Sequence, residues 1–346
     1  MSPARPYSRL VALFALCAAV VAGAAKTEVP LILMSGQSNM VGLGTATSDL
    51  SAAQKAFFPD TNIKVYLDAE GQASLLGKWS TLNPVFGGAT AGQGFGPELF
   101  FGKTLNDSFP GRKFAFIKVA RSGTYLGKTD QWIPPSSNNG TGGPYYTAMM
   151  ASIDAALKNF NSAFDTSKYT PKWAGFVWLQ GEFDAMDQTL ANSYETNLTN
   201  LVKDIRTKAA TPDLPIILPM IDVQSTWTYN AKVRAADVAL TTKLTNVDTM
   251  DTKGLPTNNI HYLSAGMVTI GIRSAQRWLK MKYLLPSTAI DPDWQARRLE
   301  VIHSLANTTG FDVFGRRTGV PSRAGSTLVR DPNGRLRTDL SAPSIP

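Results

Sequence analysis

The feature that most constrains this chain is a set of short apolar runs separated by longer stretches with helical spacing. Four runs are rich in β-branched and aromatic residues: "VPLIL" (29–33), "FAFIKVA" (114–120), "WAGFVWLQ" (173–180) and "PIILPMI" (215–221). They are continuous rather than alternating, so both faces of each strand must be covered. Residues 187–208 place Leu190, Tyr194, Leu198, Leu201 and Ile205 on one helical face. Tyr145 to Phe160 and Met267 to Leu279 also have helical spacing. Continuous strands alternating with helices predict an α/β fold with a parallel central sheet covered on both faces.

The first three runs lead straight into polar, glycine-bearing loops: "MSGQSN", "RSGTYLG" and "GEFDAMD". In open α/β sheets, ligand sites lie beyond the carboxyl ends of the strands, so these loops are expected at one edge. Ser38 stands in the first of them, "MSGQSNMVG" (34–42). It is either a presented nucleophile or part of an ordinary polar turn.

Charge excludes some function classes. The net charge is +8, but Arg5 and Arg9 lie near the N-terminus, and residues 286–346 hold eight Arg against six acids. The +4 left on residues 26–285 forms no long basic run, so no nucleic-acid partner is expected. Arg5 and Arg9 precede an apolar run from Leu10 to Val21, followed by the small residues of "AGAAK". Residues 1–25 therefore read as a cleaved signal peptide, and the protein as secreted. The run is short for a spanning helix, so no stable membrane anchor is expected. Cys17, the one cysteine, lies in this leader, which leaves the mature chain without a disulfide or a cysteine ligand.

All 18 Lys lie between Lys26 and Lys282, whereas the last 61 residues use only Arg as their basic type. The shift near Pro286 divides a main domain, 26–285, from a tail, 286–346. In the tail, "FDVFGRRTG" followed by "AGSTLVRDPNGRLR" reads as two short strands around turns.

Histidine is scarce: His261 lies in the main domain and His303 in the tail. With one histidine and no mature cysteine there, no zinc site is expected. An all-carboxylate magnesium or calcium site is the alternative, though no EF-hand-like run is present, so the reading is no metal and no cofactor. A serine nucleophile needs a neighbouring base, and His261, in "TNNIHYLSAG", is the main-domain candidate. In "WLQGEFDA", a carboxylate could orient the imidazole, while the Gln180 amide or a backbone N–H could donate to an oxyanion. Glu182 could equally be an acid at a helix start. Trp132, Tyr145, Tyr146 and Trp227 lie in or near glycine- and proline-rich stretches, where they serve either as faces for sugar rings or as packing.

"GQSNM", "KVARSGTYL", "WLQGEFDA" and a late "HY" together resemble the SGNH-type carbohydrate esterases, over about residues 28–283. The similar branch is that of acetylxylan esterases and sialate O-acetylesterase-like proteins, carbohydrate esterase family 6. The resemblance implies a flavodoxin-like three-layer α/β/α fold that removes acetyl groups from sugars without a metal. It implies Ser38 as nucleophile, His261 as general base, and Ser38 N–H, Gly123 N–H and Gln180 as oxyanion donors. Such enzymes often carry Asp three residues before the histidine, where this chain has Asn258. Asn can orient imidazole but brings no charge, so Glu182 is the expected acid, ahead of Asp248 and Asp251. The expected function is a secreted acetylxylan esterase. The alternatives are an esterase for sialate or another glycan, and a non-catalytic carbohydrate-binding protein on the same fold. The tail resembles C-terminal sorting domains of Gram-negative secreted proteins, which implies secretion machinery as a partner. A small accessory domain is the alternative.

Overall fold

A computed structural model describes residues 25–70, 73–90 and 92–284, together with two short strands, Thr327–Arg330 and Leu336–Asp339. The apolar leader, His303 and the first tail segment, "FDVFGRRTG", lie outside the described residues.

Seven strands form one sheet: β1 (Thr27–Gly36), β2 (Asp60–Ala69), β3 (Trp79–Leu82), β4 (Phe114–Ala120), β5 (Tyr169–Leu179), β6 (Ile216–Pro219) and β7 (Val247–Met250). Their order is β3-β2-β4-β1-β5-β6-β7, and every neighbouring pair is parallel except β2–β3. The helices are α1 (Ser38–Val41), α2 (Ala52–Lys55), α3 (Glu98–Ser108), α4 (Pro144–Lys158), α5 (Gln188–Lys208), α6 (Asn230–Lys243) and α7 (Ser264–Leu284). The two tail strands, β8 and β9, pair antiparallel with Leu328 opposite Thr338.

β1 shows why its sequence has to be apolar throughout. Successive strand side chains point to opposite faces. Val29, Leu31 and Leu33 enter one core and Ile32 and Met34 the other, all fully buried. β4 repeats this, with Ala115, Ile117 and Val119 on one side and Phe114 and Phe116 on the other. Burying each large aliphatic or aromatic side chain contributes about 1.5–3 kcal/mol, which only a sheet covered twice collects on both faces.

Helices α4, α5 and α6 fill the first core; α1, α3 and α7 fill the second. The result is the expected three-layer α/β/α sandwich. Helix α5 buries Tyr194, Leu198, Leu201 and Ile205, and the Asp187 carboxylate caps it by accepting from the Leu190 N–H at 2.9 Å. Among the described residues no helix is long and apolar enough to cross a membrane.

Candidate active site

The register brings the three polar loops to one level. Gly36 at the end of β1 stands opposite Ala120 of β4 and Leu179 of β5, so Gln37, Arg121 and Gln180 begin their loops side by side. At Gly36 the β5 backbone approaches so closely that a β-carbon would lie 2.0 Å from the Leu179 carbonyl oxygen. Only glycine lets the chain turn here into α1.

Ser38 is the first residue of α1 and is 3% exposed. Its N–H is one of the orphan donors of a helix start and has no hydrogen-bond partner among the described residues. The far end of α1 is gripped from below. Lys118 Nζ donates to the Val41 carbonyl at 3.2 Å, to the Phe86 carbonyl at 3.0 Å and to Glu98 Oε2 at 2.8 Å. Both charged side chains are completely buried, and Glu98 Oε1 also accepts from the Gly96 N–H at 2.9 Å. Burial holds the Lys118 ammonium below the usual lysine range, with Glu98 opposing that shift.

Asn39, the residue after the serine, joins the remaining parts. Its Oδ1 accepts from the Tyr262 N–H at 3.0 Å, which ties the histidine loop to α1. Its Nδ2 donates to Glu182 Oε1 at 2.5 Å. His261 is half-buried, and its β-carbon lies against Gly44, just beyond the α1 turn. Burial lowers the imidazole below its ordinary value, which favours the neutral base. Neither the imidazole nor the Ser38 hydroxyl has a protein hydrogen-bond partner among the described residues.

This arrangement changes the expected role of Glu182. Its carboxyl group binds Asn39 rather than the imidazole, and Oε2 is buried without a partner. Burial pushes its pKa up to about 7, with the Asn39 bond acting in the opposite direction. Asn258 also serves the backbone: its Oδ1 accepts from Ile260 N–H at 3.2 Å and His261 N–H at 2.8 Å. Asp248 pairs with Arg277, and Asp251 with Arg234 at 2.6 Å. None of these side chains hydrogen-bonds the His261 ring.

Gln180 is likewise held by its neighbours. Its amide nitrogen donates to the Thr124 carbonyl at 2.9 Å and to Asp184 Oδ2 at 2.7 Å, with a longer 3.5 Å contact to Gln37 Oε1. An amide has two hydrogens, and both are committed to the loop scaffold. Asp184 also accepts from the Leu126 and Gly127 N–H groups at 2.8 and 2.9 Å; burial raises its pKa to about 6. Gly123, by contrast, has an N–H without a hydrogen-bond partner among the described residues and a left-handed φ of 66°. The site thus offers a serine hydroxyl, a half-buried imidazole and two unpartnered backbone donors at one sheet edge. Among the described residues there is no group of three or more His, Asp or Glu side chains able to hold a metal ion.

A family model described as carbohydrate esterase, sialic acid-specific acetylesterase, matches residues 28–280. The chain belongs to this family. A probable carbohydrate esterase of Arabidopsis thaliana is 39% identical over 105 residues, which is 30% of this chain. The match spans 39% of that relative's length. An Arabidopsis thaliana crystal structure superposes with a TM-score of 0.56 at 25% identity, covering 73% of this chain and 98% of the other. A carbohydrate acetylesterase from Xanthomonas citri (TM-score 0.51, 21% identity) covers 73% of this chain and 56% of its own. NanS (TM-score 0.52, 16% identity) covers 73% and 97%. At these last two identities the likeness is one of fold.

Of the four aromatic residues read either as sugar faces or as packing, two are buried and two are half-buried. Trp132 is fully buried, stands edge-on to Trp178 at 5.6 Å and donates from Nε1 to Thr124 Oγ1 at 2.7 Å. Trp227 is 3% exposed and belongs to the same core. Tyr145 leans on Trp132 at 5.6 Å at the start of α4, and burial, with the charge of Asp204 of α5, raises the Tyr146 hydroxyl above the ordinary tyrosine range. Two further half-buried rings, Tyr125 and Phe183, lie near Gly123. They meet edge-on at 5.3 Å, and the Phe183 ring lies 3.7 Å from where a Gly123 β-carbon would stand. Phe183 sits in "GEFDA", but a single aromatic there carries no periodic signal. Asn39 was visible in "GQSNM", though nothing local announces a residue that bridges two distant loops.

Proposed function

We propose that this esterase removes O-acetyl groups from a polysaccharide by acyl transfer through Ser38. The carrying observation is the Asn39 bridge, which holds the Ser38 turn and the His261 loop together. The Gly123 N–H in the neighbouring loop, unpartnered among the described residues, supports the reading. Ser38 Oγ attacks the acetyl carbonyl as His261 takes its proton. The Ser38 and Gly123 N–H groups receive the oxyanion. As the tetrahedral intermediate collapses, His261 protonates the departing sugar oxygen, leaving an acetyl-serine. Water, deprotonated by His261, then attacks the acetyl-serine; acetate leaves and the serine regains its proton. Glu182 acts through Asn39 as a positioning residue, and Asn258 orders the backbone of the histidine loop.

Acetylxylan is the proposed substrate, supported by the sequence resemblance to the acetylxylan esterase branch. The description of the matching family model favours acetylated sialate as the second reading. Acetate release from acetylated xylan and from sialylated mucin separates the two. Ser38→Ala and His261→Ala are each expected to lower turnover of an aryl acetate by about 10³-fold or more. If the wild type releases acetate from none of these substrates, the proposal fails. Action after export is part of the proposal, supported by the leader sequence, and N-terminal sequencing of secreted protein tests it.

A further inference from the structure

We propose that Glu70 is the positioning residue that aims the Gly123 N–H at the oxyanion, an inference that rests on the esterase reading above. Strands β2 and β4 end level with each other, Ala69 opposite Ala120, so Glu70 and Arg121 leave the sheet as neighbours. Glu70 reaches across with both oxygens. Oε1 accepts from the Ser122 N–H at 2.9 Å, and Oε2 accepts from the Ser122 hydroxyl. Ser122 directly precedes Gly123.

The surrounding bonds leave little other freedom. Arg121 is held by Asp68, with Nη2 on Oδ1 at 2.6 Å and Nη1 on the Asp68 carbonyl at 2.5 Å. Beyond the glycine, Thr124 Oγ1 donates to the Arg121 carbonyl at 2.8 Å, while the Thr124 carbonyl accepts from Gln180. The peptide carrying the Gly123 N–H is therefore suspended between two clamps. The Gln180–Asp184 clamp is buried; the Glu70 clamp stands at the exposed rim. Fixing both the backbone and the side chain of Ser122 sets the plane from which the Gly123 N–H projects. Gly123 itself, at a φ of 66°, has no side chain to limit its rotation.

The consequence is kinetic. A donor that meets the oxyanion acts in the transition state rather than in the bound substrate, so its misalignment lowers kcat and leaves KM nearly unchanged. Removing one oxyanion donor outright costs about 10²–10³ in kcat, so loosening one is expected to cost about tenfold. Glu70→Ala should show that loss with an aryl acetate, with KM within about twofold and the acid limb of the pH profile unmoved. Glu70→Gln keeps an acceptor for the Ser122 N–H and should recover most of kcat. Ser122→Ala keeps the backbone bond and should fall between the two.

Wild type and Ser38→Ala are assayed alongside. If wild type turns over and Glu70→Ala keeps its kcat, or loses activity through KM alone, the Glu70 assignment is overturned while the esterase reading stands. If wild type itself is inactive, the esterase reading fails and takes this assignment with it. Should Glu70→Ala not fold, the order of Gln and Ser122→Ala variants decides the matter.

Discussion

Asn39 and Glu182 show how much one buried side-chain pair asks of the residues around it. Asn39 satisfies Glu182 on one side and the Tyr262 N–H on the other, so its loss would strand a buried carboxyl group and a buried N–H. It would also free the His261 loop, and misplacing a reacting group by about 1 Å can cost about 10²-fold in rate. Asn39→Ala is therefore expected to lower kcat by about 10–100-fold. Glu182→Gln keeps an oxygen to accept from Asn39 and should stay within about tenfold of wild type. The reverse order in an aryl acetate assay would return Glu182 to direct contact with the imidazole. Asn39 stands in "GQSNM" beside the proposed nucleophile, so its place was legible. Its bonding was not, because the partners lie 143 and 223 positions away.

At the scale of elements, apolar continuity located β1, β4, β5 and β6, and periodicity located α4, α5 and α7. β2 escaped because Lys64 and Asp68 interrupt it. Lys64 is satisfied by Thr81 of the antiparallel β3 and Asp68 by Arg121 beyond β4, and neither partner is visible locally. Helix α6 escaped because its buried face is Val233, Ala236, Asp237 and Leu240, too small and polar to stand out. Lys118, the one charged residue of β4, fastens α1 to the sheet through Val41. Lys118→Met should leave Glu98 as a buried charge without its cation, at a cost of about 3–5 kcal/mol in denaturant unfolding. Adding Glu98→Gln should recover much of that loss; equal destabilisation in the double variant would show that the pair is not the source.

The whole molecule carries the buried acids as a pH response. Burial raises Glu182 from 4.5 to about 7 and Asp184 from 3.8 to about 6. Between the unfolded and folded values the native state holds protons that the unfolded chain has released, so rising pH favours unfolding. Thermal stability is expected to fall from about pH 4 to about pH 7 through these groups and then level off. Glu182→Gln should flatten the slope between pH 6 and 7, and an unchanged slope in that variant would remove Glu182 as its cause. The same contrast separates what the sequence determined alone from what required the fold. Apolar continuity and helical period determined the layered α/β class and put the polar loops at one edge, because burial and backbone geometry act over a few residues. Which side chain each polar group would bind was decided only by tertiary structure. Gln180, Glu182, Trp132 and Trp227 had plausible roles at the cleft, but buried polar atoms must find partners and large rings must fill the core. Partners such as Asn39, 143 positions from Glu182, and Thr124, 56 positions from Gln180, lie far away in the chain.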